Sequence, residues 1–235
     1  MQLFYNPNIT ETTETFSFDK EESKHIIKVL RKKDTDILFV TNGLGLLFKT
    51  EITLASDSKC TVQIISFEKS ETPKYKLHLA VAPTKMNDRY EWFLEKATEI
   101  GIHEITPIIC DRSERKVINP ERFDKIILSA MKQCNQLHLP KLNDAITFKE
   151  FIKIKNDGLQ LIAHCEETEK KTLKSILKPN ENITILIGPE GDFSEKEITL
   201  ALENNYTAVS LGNNRLRTET AAIVACHSVA FVNED

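Results

Sequence analysis

The sequence predicts an α/β protein in two parts, a small β-barrel-like domain followed by a parallel sheet covered by helices. Three observations carry this expectation. Short apolar runs separated by turn residues fill residues 1–72, strand-like and helical patterns alternate after Pro73, and near the C-terminus an apolar run, a tight loop and a helical pattern follow one another twice.

In the first part, residues 3–5, 15–18, 37–40, 46–54 and 60–67 read as strands, with turns at Thr41-Asn42-Gly43 and Ser56-Asp57-Ser58-Lys59. The one helical stretch among them is 20–30. A small barrel is the natural closure for such a set. The polar segment Glu68-Lys69-Ser70-Glu71-Thr72-Pro73 marks the boundary, so the expected domains are 1–72 and 73–235.

In the second part, 76–82 reads as a strand. The helix expected over 88–100 carries Tyr90, Phe93, Leu94, Ala97 and Ile100 on one face and stops at Gly101, with Trp92 expected in the core. A strand at 105–110 follows. Asn119 and Pro120 then open a helix as N-cap and first helical residue, with Phe123, Ile126, Ile127, Ala130 and Met131 facing inward. Strands at 159–164, 182–187 and 207–211 complete a βα alternation, which predicts a parallel sheet.

Composition excludes several classes. A formal charge of −4 and a pI near 5.9 argue against a generic nucleic-acid coat, so any RNA contact must be a local patch. No run approaches the roughly 18 apolar residues of a membrane span, and Met1-Gln2-Leu3-Phe4-Tyr5 is not a signal peptide. Cys60, Cys110, Cys134, Cys165 and Cys226 are scattered without a Cys-x-x-Cys and read as reduced, buried thiols of a cytoplasmic protein. Cys134 and His138 share a helical face at i,i+4, but two ligands make no metal site, and none is expected.

Chemistry concentrates in Ile187-Gly188-Pro189-Glu190-Gly191-Asp192-Phe193-Ser194 and in Leu211-Gly212-Asn213-Asn214-Arg215-Leu216-Arg217-Thr218-Glu219-Thr220. Strand-to-helix loops put backbone donors and acceptors at the C-terminal edge of a sheet, where open α/β folds bind small ligands. The first loop is no phosphate cradle. No Lys-Ser/Thr pair follows its last glycine, and Glu190 and Asp192 would repel an anion. They suit a ligand with positive charge or with N–H and hydroxyl donors, such as an adenine-ribose-sulfonium molecule. Ser194 with Glu197 forms a capping box for the next helix, and Phe193 with Ile198 a hydrophobic staple. In the second loop, Arg215 and Arg217 precede a helix start, where the dipole disfavours cations. They serve an external anion or electron-rich partner, or they pair with Glu190, Asp192 or Glu219. His164, at the end of a strand, is expected as a hydrogen-bonded core histidine.

The two loops closely resemble the C-terminal signature of the bacterial 16S rRNA uridine N3-methyltransferases, the RsmE type of the SPOUT superfamily. Three further stretches resemble the same family in order along the chain: His25-Ile26-Ile27-Lys28-Val29-Leu30-Arg31, Glu95-Lys96-Ala97-Thr98-Glu99-Ile100-Gly101, and Met131-Lys132-Gln133-Cys134 followed by Pro140. The chain departs from the pattern at Thr35-Asp36, where Gly-Asp is usual, at Gln136-Leu137-His138, where a basic residue is often found, and at Asn213-Asn214.

The resemblance implies a SPOUT-type parallel sheet with a C-terminal trefoil knot, preceded by a PUA-like β-barrel domain. It implies S-adenosyl-L-methionine as cofactor, a homodimer, and a uridine in the decoding region of 16S rRNA of the small ribosomal subunit as target. The cofactor pocket would comprise Ile187, Gly188, Pro189, Glu190, Gly191, Leu211, Gly212, Leu216, Arg217, Thr218 and Thr220.

Residues 24–33 contain Lys24, His25, Lys28, Arg31, Lys32 and Lys33 and no acid. On a helix, Lys24, Lys28 and Arg31 would share one face. On a PUA-like module this run becomes an expected RNA-phosphate contact through Lys24, His25, Lys28, Arg31 and Lys33. Arg112, Arg115 and Lys116 offer a second basic region beside the catalytic domain.

Uridine N3 must lose its proton before it attacks a methyl group. Arg217 is the expected guanidinium for the developing charge on the uracil oxygens, and Glu219 the nearest candidate to accept the proton or to orient the arginine. Because a Watson–Crick pair engages N3–H, the target should be unpaired or flipped. Two other readings stand beside it: a ribosome-binding factor that keeps the fold without turnover, opposed by Glu190, Arg217 and Glu219, and a nucleotide-phosphate hydrolase, opposed by the missing lysine and the acidic loop.

Overall fold

The structure is a computed structural model that describes residues 1–167 and 169–234. The chain forms two units, Met1–Thr72 with Met131–Leu139, and Pro73–Ala130 with Pro140–Asp235.

Unit one contains β1 (Leu3–Tyr5), β2 (Thr15–Ser17), α1 (Lys20–Lys24), β3 (Ile37–Thr41), β4 (Leu46–Leu54) and β5 (Thr61–Lys69). The strands form one sheet in the order β1-β3-β4-β5-β2. Alternation along β4 buries Leu46, Phe48, Thr50 and Ile52, and Leu46, Phe48 and Ile52 meet Phe4, Phe18, Ile26, Val40 and Val62 in a single core. The helix expected over 20–30 is cut short. After Lys24 the backbone widens into a π turn over His25–Val29, closed by Leu30 N–H donating to His25 C=O at 3.0 Å, and Arg31 then turns at φ +56°. Lys24, Lys28 and Arg31 therefore do not share one α-helical face. The segment 131–139 completes this unit. Gly45 N–H donates to Leu137 C=O at 2.9 Å, Leu139 N–H to Gly43 C=O at 2.9 Å, and Ser70 Oγ lies 2.8 Å from His138 Nε2.

Unit two contains β6 (Leu77–Val81), α2 (Asn87–Ile100), β7 (Glu104–Ile109), most of α3 (Pro120–Gln133), β8 (Lys141–Leu142), β9 (Ile146–Thr147), α4 (Phe148–Phe151), β10 (Leu159–Ala163), β11 (Lys171–Thr172), α5 (Leu173–Ile176), β12 (Ile183–Ile187), α6 (Glu195–Glu203), β13 (Thr207–Ser210) and α7 (Thr218–Val232). The order β11-β13-β10-β12-β6-β7-β8 is parallel throughout, with β9 beside β7. The central strands β6 and β12 are buried at every position, as a sheet covered on both faces requires. Helix α2 buries Tyr90, Phe93, Leu94 and Ala97 and ends at Gly101 in the left-handed region. Trp92 lies off that stripe and is 44% exposed, contrary to expectation. Helix α3 ends at Gln133 and Asn135 turns at φ +58°, so Cys134 and His138 do not share a helix. Among the described residues no helix is long and apolar enough to cross a membrane.

One stretch of the sheet interior is polar. His78 Nε2 lies 2.7 Å from Thr106 Oγ1, and Asn143 Nδ2 donates to both Thr106 Oγ1 and Glu104 Oε1, at 2.8 and 2.7 Å. Burial, ahead of the nearby charges, takes the His78 pKa down to about 4. Burial alone would raise the Glu104 carboxyl, but hydrogen bonds from Asn143 and Lys76 outweigh it and bring the pKa to about 2. An unfolded histidine takes up its proton near 6.5, whereas folded His78 stays neutral down to about 4. Its contribution is therefore whole above pH 6.5 and is lost as the pH falls through that window. Denaturant melts at pH 7 and pH 4.5 should show wild type losing about 2 kcal/mol more than a His78→Gln protein. Equal losses would remove His78 as the cause.

Candidate active site at the C-terminal edge of the parallel sheet

Strands β13, β10, β12 and β6 are parallel neighbours, so the loops that leave their C-terminal ends gather along one edge. The loop after β12 is the most constrained. At Gly188 a Cβ would lie 3.1 Å from ring carbons of Phe193 and 3.2 Å from its backbone nitrogen, so only glycine fits without displacement. Asp192 sits at φ +64°. Its carboxylate accepts from Cys165 N–H and from Phe193 N–H, both at 2.8 Å, which ties this loop to the one after β10. Ser194 and Glu197 form the expected capping box, and Glu197 also accepts from Asp111 N–H at 2.8 Å. Thr218, at the start of α7, donates its hydroxyl to Gly188 C=O at 3.0 Å and holds the last helix against the loop.

Two adjoining cavities open along this edge. One of about 390 Å³ is lined by His164, Lys170 and residues 209–216. The other, of about 270 Å³, is lined by Ile187, Gly188, Pro189, Glu190, Asp192, Arg217 and Thr218. Both share Ala163, Cys165, Arg215, Leu216 and Ala221. Such sizes are those of small-ligand clefts.

Most of the expected cofactor residues come together here. Ile187, Gly188, Pro189, Glu190, Arg217 and Thr218 line the smaller cavity, Leu211 and Gly212 the larger, and Leu216 both. Gly212, at φ +140°, adopts a backbone that a side chain would strain. Gly191 and Thr220 line neither cavity. Glu219 does not line either one: its side chain is buried, Oε1 lies 3.9 Å from Arg89 Nε, and Oε2 has no partner among the described residues. Among the described residues none of the three acids pairs with Arg215 or Arg217. Glu219 faces Arg89, Asp192 holds backbone amides, and Glu190 accepts from Lys85 N–H at 2.9 Å. Among the described residues the guanidiniums of Arg215 and Arg217 have no ion pair or hydrogen bond, and both are exposed in the cleft wall.

The second basic region is used locally. Arg112 Nη1 donates to the carbonyls of Gly191 and Phe193, at 3.1 and 3.2 Å. Arg115 donates to the carbonyls of Thr84 and Lys85, at 3.1 Å and 2.7 Å, while Lys116 is exposed. In unit one, Lys24, Lys28, Arg31 and Lys33 are exposed and His25 is half-buried, with Lys28 3.1 Å from Asp57.

His164 is buried, but neither ring nitrogen has a hydrogen-bond partner among the described residues, against the expectation of a satisfied core histidine. Burial, with the Lys170 charge beside it, lowers its pKa. Cys165, expected as a buried thiol, is exposed at the cleft, and Cys134 is half-buried, while Cys60, Cys110 and Cys226 are buried. Lys85, Arg89 and Lys170 are residues that the sequence does not single out, although each lies within ten residues of a strand that ends at this edge.

The cleft fits an S-adenosylmethionine-like ligand. It presents a carboxylate, Glu190, with one oxygen left without a partner among the described residues, and backbone groups of residues 211–216, while the lysine on its wall, Lys170, already donates to the carbonyls of His164 and Glu166. Residues 70–230 match the RNA methyltransferase domain family, and residues 18–65 match the RNA methyltransferase PUA domain family. The ribosomal RNA small subunit methyltransferase E of Rickettsia conorii is 32% identical over 98% of this chain and 95% of its own length. A crystal structure from Porphyromonas gingivalis, described as a probable rRNA-methyltransferase, superposes with a TM-score of 0.92 at 36% identity, covering 99% of this chain and 98% of that one. The ribosomal RNA small subunit methyltransferase E of Neisseria gonorrhoeae, solved bound to S-adenosyl methionine, superposes at 0.86 with 25% identity over the same shares.

Proposed function

This chain belongs to the ribosomal RNA small subunit methyltransferase E family, and we propose from that membership that it methylates N3 of a uridine in 16S rRNA. It is an S-adenosylmethionine-dependent rRNA methyltransferase. The observation that carries the reading is the pairing of an uncommitted guanidinium, Arg217, with a half-committed carboxylate, Glu190, on the wall of one cavity.

When bound, S-adenosylmethionine supplies a methyl carbon whose bonding pair to sulfur leaves with the sulfur. The chain's own residues do the rest. Backbone groups of 188–190 and 211–216, braced by Thr218 and Asp192, would hold the cofactor. Arg217 reaches the uracil oxygens and stabilises the negative charge that grows there as N3 loses its proton. The same family membership supports a C-terminal segment threaded as a trefoil knot, a homodimer, and a cytoplasmic location with the small ribosomal subunit. The basic residues Lys24, Lys28, Arg31 and Lys33, inside or beside the matched PUA segment, support RNA-phosphate contact, with His25 beside them. Lys116 is the member of the second basic region left for RNA.

Incubation with methyl-tritiated cofactor and small ribosomal subunits lacking the modification tests this reading. Label should appear in 3-methyluridine after nuclease digestion. Label elsewhere, or none, refutes it.

A further inference from the structure

Removal of the N3 proton needs an acceptor that faces the cavity. Glu219 has the right chemistry but the wrong direction, since its carboxylate is buried toward Arg89 and lines neither cavity. Glu190 lines the cavity that Arg217 also lines. We propose that Glu190 is the catalytic proton acceptor, and that Arg115 is a positioning residue acting on it through a single peptide group. The inference rests on the proposed N3 methylation.

The positioning is visible atom by atom. Oε1 of Glu190 accepts from Lys85 N–H at 2.9 Å. The peptide that carries this N–H has the Thr84 carbonyl at its other end, and that carbonyl accepts from Arg115 Nε at 3.1 Å. A cation on the oxygen end of a peptide polarises its N–H and strengthens the bond made there. Two further contacts stop the segment from turning: Arg115 Nη2 donates to Lys85 C=O at 2.7 Å, and Thr84 Oγ1 donates to Met86 C=O at 2.7 Å. One carboxylate oxygen is thereby fixed, and Oε2 is without a hydrogen-bond partner among the described residues.

In the step, the N3–H bond breaks and its proton passes to Oε2 of Glu190. The electron pair left on N3 forms the new bond to the methyl carbon, and the pair of the broken carbon–sulfur bond stays on sulfur. Glu190 is half-buried, so the proton then leaves to water at the mouth of the cleft. Arg217 acts on the uracil oxygens at the same time, which lowers the cost of handing a proton to a carboxylate.

The test measures single-turnover methyl transfer to small subunits across pH, beside calorimetric binding of S-adenosylhomocysteine. Glu190→Gln should slow transfer by about 100-fold or more and abolish the acid limb of the rate profile. Its affinity for S-adenosylhomocysteine should stay within about fivefold, which also reports that the variant is folded. Arg115→Ala should slow transfer by roughly tenfold with unchanged S-adenosylhomocysteine affinity, and Arg115→Lys should restore part of it. A Glu190→Gln protein with near-normal transfer overturns the proposal. So does one whose loss of rate is matched by loss of S-adenosylhomocysteine binding, because Glu190 would then serve the cofactor alone. A wild-type protein that binds the cofactor but puts no methyl on N3 overturns the N3 reading, and this inference with it.

Discussion

Replacing Arg217 with alanine is expected to lower methyl transfer by about 100- to 1,000-fold while the protein keeps its fold. The guanidinium is exposed, has no partner among the described residues, and sits at the N-cap of α7 without a capping hydrogen bond. Folding gains little from it. A cation there opposes the helix dipole, so its removal should change stability by no more than about 0.5 kcal/mol. The loss therefore falls on the reaction. Arg217→Lys should recover only part of the rate, because an ammonium keeps the charge but not the planar fork that spans two oxygens. The measurement is the single-turnover rate at saturating cofactor, with thermal melts as control. An alanine variant that transfers at the wild-type rate would remove Arg217 from the mechanism.

Phe193→Ala should cost about 3–5 kcal/mol of stability. Phe193 is fully buried and packs in one cluster with Phe148, Phe151, Ile162, Leu186 and Ile198, its ring centroid 5.4 Å from that of Phe148. The same ring lies against Gly188, so the cavity left by the substitution would open under the cofactor loop. Both effects follow from one side chain. The melting temperature should fall by roughly 6–20 °C. At a temperature where the variant is still folded, cofactor affinity should be weaker as well. A change below about 1 kcal/mol would mean that the core collapses around the gap and the ring does not support the loop.

Much of this fold was legible because its signals are local. The capping box at Ser194 and Glu197, the stop at Gly101, and the mostly apolar runs of β6 and β12, broken only by His78 and Thr184, depend on residues near one another in the chain. The π turn at His25–Val29 was not legible, since an apolar and basic run of that kind satisfies an α-helix equally well. The cavity walls were readable for the same local reason: strand ends carry loops, and parallel strands carry them to one side. What the sequence could not disclose is which way a side chain turns once the loops meet. Glu190 and Glu219 are both acids in suggestive loops, and their spacing from Arg217 favoured the nearer one. The directions the two side chains take are set by Lys85 and Arg89, residues more than a hundred positions away, which is why the proposed role passes to Glu190. Arg112 and Arg115 read as free positive charge for the same reason, although the carbonyls they hold belong to distant loops.

The nine residues 131–139 that complete the first unit bear on how the protein could be taken apart. A fragment ending at Thr72 would lack the Leu137 carbonyl that Gly45 donates to, the His138 ring beside Ser70, and the Leu139 amide that meets Gly43. The N-terminal module is therefore not a cassette that one scissor cut releases. An excised or grafted version would need that strip supplied by a linker, and inheritance of this module has to proceed together with the methyltransferase half that encodes its last piece.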